Sequence, residues 1–389
     1  MRIQSWLVAS ISAFVVLSPA GAEPPRGLYC SCPPTRPGSP EGSVLADVAE
    51  LPFVDGVLVR INWADVQPSE GVFDFSLIDQ QIARIETYGK KISLAIVGGP
   101  QSPPWLADAG AEMFQYEFNG MTQSIPIPWD EVYLDKWHGL VDAVGAAYTD
   151  EDAISLVYIT HSSANGFEMQ LPFSPFDQIN WTQAGYTADL LVDAWVSTIG
   201  AFASAFPDHP LALDTHPVLQ SDEVGERVAA HADEAYGGRV GILGAWWTEH
   251  NAIDVYPGMF EILREASIRS HSAVQVARSY TLMPDAFESE GLAGALDLAL
   301  CSGIRYAEVW NSDLLNEDLH AMLAERAERL RRPFGDVNLD GRADVEDLHA
   351  WSASPTDLDC DGDIDGEDGA LLMARLRARE IEDMTNGRR

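Results

Sequence analysis

Residues 56–97 read GVLVRINWADVQPSEGVFDFSLIDQQIARIETYGKKISLAIV, and they hold two short runs of branched apolar residues, 56–63 and 91–97, on either side of an amphipathic stretch at 74–88. Branched side chains favour the pleated strand, and apolar residues recurring every three to four positions favour a helix buried on one face. The segment therefore reads as one strand, helix, strand unit. Outward from it the alternation repeats. Strand-like runs fall at 27–32, 56–63, 91–97, 154–160, 211–215, 240–247, 273–279 and 304–310, with helical stretches at 74–88, 130–147, 187–206, 256–271 and 292–301. Eight such units close into an α/β barrel of eight parallel strands inside a ring of helices, which takes about 250 residues or more. An open doubly wound sheet fits less well, because no G-x-G-x-x-G loop opens an early helix.

The chain of 389 residues is 46% hydrophobic and carries 60 acidic against 24 basic residues, a formal charge of -36. Such a field repels phosphate, which argues against nucleic-acid binding and suits a neutral ligand such as a sugar. Residues 1–22, with Arg2, an apolar run at 6–17 and Ala20-Gly21-Ala22, have the pattern of a cleavable signal peptide. The expected location is therefore secreted, extracellular or cell-surface associated, with no membrane span after cleavage. Four cysteines in an exported chain suggest disulfides. The single residue between Cys30 and Cys32 makes their direct bridge awkward; free buried thiols are the expected state, with a bond from Cys30 or Cys32 to Cys301 as the alternative.

Composition changes at Pro333. Residues 334–389 contain 15 acidic and 6 basic residues, and aspartates recur at alternate positions in two places. Asp336, Asn338, Asp340, Arg342, Asp344 and Asp347 fall at positions 1, 3, 5, 7, 9 and 12 of one loop, with Gly341 at position 6. Asp357, Asp359, Asp361, Asp363, Asp365 and Asp368 repeat the spacing, with Gly362 at position 6. A hard cation that takes 6 to 8 oxygens calls for this crowding; position 7 contributes a backbone carbonyl, and the glycine permits the sharp turn. Two Ca2+ ions are the expected cofactors, with none for catalysis. Position 12 is Asp where Glu is usual, a shorter arm.

Two such loops, each followed by one helix, at 345–352 and 366–379, resemble a type I dockerin, a small helical EF-hand-like domain. The resemblance implies calcium-dependent folding and attachment to a cohesin-like receptor or cell-surface scaffold. The expected organisation is a signal peptide at 1–22, a barrel at 23–333, a dockerin-like domain at 334–380 and a disordered tail at 381–389.

The stretch Val59-Arg60-Ile-Asn-Trp63 through Gln67-Pro68, Glu70-Gly71 and Phe73-Asp74-Phe75 to Asp79 resembles the second-strand signature of clan-A glycoside hydrolases, (β/α)8 TIM barrels, and is most similar to family 42. Gly98-Gly99 and Pro103-Pro104-Trp105-Leu106 extend the likeness. The resemblance implies hydrolysis of a β-linked poly- or oligosaccharide by two carboxyl groups from different strand ends. Glu168, following the fourth strand, is the expected proton donor, although Phe167 stands where relatives carry Asn and Asn165 lies three positions back. Glu308, in Tyr306-Ala307-Glu308-Val309-Trp310, is the expected nucleophile, because a carboxylate within an apolar strand needs a task or a partner. Its strand counts as the eighth, whereas the family uses the seventh, and the seventh run here offers no carboxylate. Glu249 is the substitute.

Arg60, Trp63, Trp105, Trp246, Trp247 and Trp310 fall at strand ends, where flat rings stack on sugar faces. His161, Asn165 and His216 are candidate partners for sugar hydroxyls. No zinc-ligand spacing and no G-x-S-x-G elbow occur, which disfavours metallohydrolases and esterases. Two competing readings are a catalytically inactive carbohydrate-binding barrel displayed by the dockerin, and a structural or partner-binding barrel.

Overall fold

The computed structural model describes residues 23–385 apart from 359 and 361, and only the backbone of 379–385. The segment 1–22, expected to be a signal peptide, Asp359, Asp361 and the final residues 386–389 lie outside the described residues.

Ten strands are present among the described residues: β1 Gly27–Ser31, β2 Gly56–Asn62, β3 Lys91–Val97, β4 Met113–Phe118, β5 Met121–Pro126, β6 Ile154–Ile159, β7 Leu211–Asp214, β8 Val240–Trp247, β9 Ser272–Val276 and β10 Tyr306–Trp310. Eight of them close a parallel barrel in the order β1-β10-β9-β8-β7-β6-β3-β2. β4 and β5 form an antiparallel hairpin, with Phe118 opposite Met121 across Asn119-Gly120, both at positive φ, as a two-residue hairpin turn requires. All eight runs read from the sequence are barrel strands, so the eighth-strand position of Glu308 stands.

The helices form because one face of each is apolar and the barrel covers it. In helix Ser76–Glu86, Ile78, Gln81, Ile82 and Ile85 are buried at helical spacing. Helix Ala188–Ala205 is apolar enough for a membrane span by length and composition. It nonetheless packs on helix Glu131–Tyr148 and buries Leu191, Trp195, Ile199 and Phe202 in the helical layer. Inside the barrel, alternate residues point inward and fill it with Tyr29, Leu58, Ala95, Leu156, Tyr158, Ala212, Leu243, Ala273 and Tyr306.

The C-terminal segment packs on the end of the barrel opposite the strand C-termini. Arg375 Nη1 donates to Ile268 O at 2.7 Å, just before β9, and the Arg305 guanidinium, just before β10, lies 5.0 Å from the Phe334 ring. Cys301, at the end of helix Gly291–Cys301, is disulfide-bonded to Cys360, and Cys30 is bonded to Cys32. Both bonds correct the expected free thiols and also the alternative pairing of Cys30 or Cys32 with Cys301. The backbone of β1 brings Cα30 and Cα32 to 5.3 Å, within disulfide reach. Cys301 lies at the far end of its helix, where it meets the second aspartate loop. The second C-terminal helix runs Gly366–Thr385, past the expected end at 379 and into the tail expected to be disordered.

Candidate active site

The segment after β6 presents Glu168, and its shape follows from a few local bonds. Asn165 Oδ1 accepts from Phe167 N at 3.0 Å and Glu168 N at 2.9 Å, an Asx turn that swings the chain back on itself. Gly166 has φ +75°, and a Cβ there would lie 2.2 Å from Gly98 O, so the turn rests directly on the backbone that follows β3. Ala164 N donates to Gln170 O at 2.9 Å and closes the loop. Asn165 is thus a positioning residue whose side-chain oxygen is engaged within the loop.

Two neighbouring residues diverge from this turn. Phe167 points into the barrel, where its buried ring lies 5.2 Å from Tyr158 and 6.0 Å from the Arg60 guanidinium. Glu168 stays half-buried at the mouth and accepts from Gln170 Nε2 at 2.6 Å. The phenylalanine that breaks the family's Asn-Glu pattern therefore plugs the barrel interior.

Beneath it, Glu308 has no exposed surface. Its Oε1 accepts from Tyr158 Oη at 2.5 Å and Tyr306 Oη at 2.8 Å, and its Oε2 from Gln275 Nε2 at 2.6 Å. Burial pushes its pKa above the ordinary carboxyl value, against the pull of these three donors and the positive charge of Arg60. Arg60 donates to Cys32 O at 2.9 Å and is attracted by both Glu308 and Glu168, which makes it the cationic link between them. Gln275 supplies an amide to Glu308 from the seventh strand, where the family resemblance led one to look for a carboxylate.

The sequence reading missed Asp214. It ends β7 with 2% of its surface exposed, and its oxygens accept from Met169 N at 2.9 Å and Ala245 N at 3.0 Å. Burial first, then the charge of Glu168, pushes its carboxyl up to about 8. The argument applied to Glu308, that a carboxylate within an apolar strand needs a task, applies equally to Leu-Ala-Leu-Asp and would have found it. Tyr256 and His216 complete this side: their rings are 4.9 Å apart, and the charge of Glu168 acts on both. His216 Nδ1 faces Pro217 O at 3.1 Å, so Nδ1 carries the proton, and burial pushes the imidazole below its ordinary value.

Several expected site residues lie elsewhere. Trp63 and Trp247 are fully buried and Trp246 nearly so. Their indole N–H groups donate to Gln67 Oε1, Ala295 O and Thr215 O, which makes them core side chains. His161 faces the helical layer, against Tyr133, Trp195 and Thr198, and burial pushes it down to about 3. It is a neutral structural residue: like Ile159 two positions earlier, it lies in the packed layer outside the barrel. Glu249 lies against Gly294 of helix Gly291–Cys301, with burial and then the charges of Glu288, Glu290 and Asp297 raising its pKa. Trp105 and Trp310 remain half-buried, their N–H groups bonded to Gln67 O and Val276 O.

In the first aspartate loop, Asp336, Asn338 and Asp340 accept backbone N–H groups of residues 340–342 and hold the turn in shape. These oxygen-only donors suit a hard cation. Asp347, expected at ligand position 12, is fully buried instead: Oδ1 accepts from Val337 N and Asn338 N, and Oδ2 from Asp344 N. Asp368 likewise accepts from Leu358 N and Asp365 N. Among the described residues, no three His, Cys, Asp or Glu side chains converge as metal ligands.

The barrel with Glu168 at its mouth has the architecture of the (β/α)8 glycoside hydrolases. Residues 55–199, from just before β2 to within helix Ala188–Ala205, match the family model of glycoside hydrolase family 42, beta-galactosidase. No curated protein sequence matches this chain. Among solved structures, the chain is similar in fold to the catalytic domain of beta-amylase from Paenibacillus polymyxa, at a TM-score of 0.57 and 10% identity, over 79% of this chain and 100% of that one. Endo-glycoceramidase II from Rhodococcus sp. aligns at a TM-score of 0.47 and 14% identity, over 76% of each chain. Xylanase B from Clostridium stercorarium F9 aligns at 0.46 and 13%, over 73% of this chain and 85% of that one.

Proposed function

We propose that the barrel is a glycoside hydrolase that cleaves a β-linked poly- or oligosaccharide, with Glu168 protonating the leaving oxygen. The observation that carries this reading is the placement of Glu168. It is a half-exposed carboxyl at the C-terminal end of a barrel, held from both sides by Asn165 and Asp214, inside the segment that matches the family 42 model. Galactosides are the first substrates to try, given that family's description. Glu308 is the second carboxylate of the pair in this reading, and Phe167 has to leave its place on Tyr158 before Glu308 meets a sugar.

The enclosure of Glu308 favours a second reading, a barrel that binds glycans without cleaving them. Wild type and Phe167→Ala, incubated with β-linked galactosides, xylans and glucans, separate the two. Released reducing ends support the hydrolase, with a changed rate in Phe167→Ala. Saturable binding without product from either protein supports the second reading and overturns the first.

Secretion, and anchoring through a calcium-loaded C-terminal domain to a cohesin-like receptor, complete the proposal. Asp336, Asn338, Asp340 and the carbonyl of Arg342 would hold one ion, and loop 357–368 the other.

A further inference from the structure

We infer that the cleft between the barrel and the C-terminal segment binds a small organic monoanion, one carboxylate on an apolar body, with Arg305 as its counter-charge. The cleft lies at the end of the barrel opposite Glu168, so the inference stands apart from the sugar reading. Its walls are the turn from helix Gly291–Cys301 into β10, the linker that follows helix His320–Arg331, and both aspartate loops. The Cys301–Cys360 bond forms part of the wall, and the cleft encloses about 250 Å³.

Arg305 is a desolvated cation with no carboxylate partner among the described residues. Its Nη1 donates to Leu300 O and Ile304 O, both at 2.9 Å, and its guanidinium lies 5.0 Å from the Phe334 ring. Its Nε is sealed from solvent and bonded to nothing among the described residues, which leaves Nη2 as the donor for a ligand in the cleft. Burial first, then the charges of Arg329, Arg375 and Arg26, pushes the pKa of Arg305 down to about 9. The chain has 60 acidic residues against 24 basic, yet this cation meets only main-chain carbonyls, an aromatic face and other cations. Removing a charge from water is costly unless an opposite charge meets it. An anionic ligand supplies that charge.

The rest of the wall selects the kind of anion. The two other arginines of the cleft are already paired, Arg329 with Asp297 at 2.8 Å and Arg332 with Glu328 at 2.5 Å. One uncompensated positive charge therefore takes one negative charge. Asp336 and Asp357, on the loop side, repel a dianion such as phosphate twice as strongly as a monoanion. A carboxylate matches the planar donors of a guanidinium. Leu300, Pro333, Phe334, Leu339 and Leu358 offer apolar surface to the body that carries it.

The test titrates the full, oxidised chain with benzoate, with its neutral isostere benzamide and with inorganic phosphate, by calorimetry. Benzoate should saturate one site per chain, and benzamide and phosphate should bind about ten-fold or more weakly, the loss of one charge-assisted hydrogen bond. Arg305→Met, which keeps an apolar stem on Phe334, should abolish benzoate binding. Leu339→Asp should abolish it as well, by placing a further negative charge on the cleft wall; Leu339 is 62% exposed at a φ of +65° that Asp tolerates, so the fold is kept. If Arg305→Met does not fold, Leu339→Asp decides. Benzamide bound as tightly as benzoate, phosphate bound more tightly, or no saturable binding of benzoate overturns the inference. Benzoate binding that survives in the folded variants places the anion elsewhere and overturns it too.

Discussion

Met169 N, one residue past Glu168, donates to Asp214 Oδ2 at 2.9 Å, so the fifth barrel strand fixes the segment that carries the acid at the mouth. Asp214 also takes Ala245 N, and its burial beside Glu168 raises its carboxyl to about 8 from an ordinary 3.8. A raised acid holds its proton in the folded chain between these values and loses it in the unfolded one. The stability it contributes is therefore complete near pH 4 and declines as pH rises toward 8. Asp214→Asn should lose about 1–3 kcal/mol near pH 4, because its amide cannot accept the second N–H, and should flatten this decline. Denaturant midpoints of both proteins from pH 4 to 8 check it; parallel curves would contradict it.

Glu308 gathers three donors inside the barrel, so removing it strands all three. Glu308→Ala should cost about 3–5 kcal/mol, and Tyr158→Phe, which removes one donor, about 1–2. Urea unfolding measures both. Equal losses from the two variants would show that the network does not act as described.

The Cys301–Cys360 bond spans 59 residues and fastens the second aspartate loop to the barrel, whereas Cys30–Cys32 closes almost no chain. Loop-closure entropy assigns about 4 kcal/mol to the first and much less to the second. Cys301→Ser should lower the denaturation midpoint well beyond Cys30→Ser, and reductant should lower the wild type to the Cys301→Ser value.

The Asp344 and Asp347 capping box holds the start of helix Val345–Ala353 beside the first aspartate loop. Calcium titration of the chelated full chain should show two sites. Asp336→Ala should remove one of them. No heat of calcium binding, or two sites retained in Asp336→Ala, would contradict the calcium proposal.

The barrel was legible because apolar strand runs and amphipathic stretches each repeat with their own period, and that period alone sets which face is buried. The location of Glu168 and His216 at the barrel mouth was legible from their place after strand ends. What escaped depends on packing the sequence does not display. Trp63, Trp246 and Trp247 sit at strand ends like cleft residues, yet their rings turn into the helical layer. His161 differs from an inward residue by one step of strand alternation. Asp214 was hidden as a single acid in a four-residue strand, and Cys360 in a loop read only for its aspartates.

The most direct test compares wild type with Glu168→Gln for release of reducing ends from the β-linked glycan that wild type cleaves fastest, with folding of the variant verified by its thermal transition. The account predicts a folded variant whose kcat falls by roughly 10²- to 10⁴-fold while glycan binding persists. A Glu168→Gln protein that cleaves as fast as wild type, or a wild type that binds glycans and releases nothing, would contradict it.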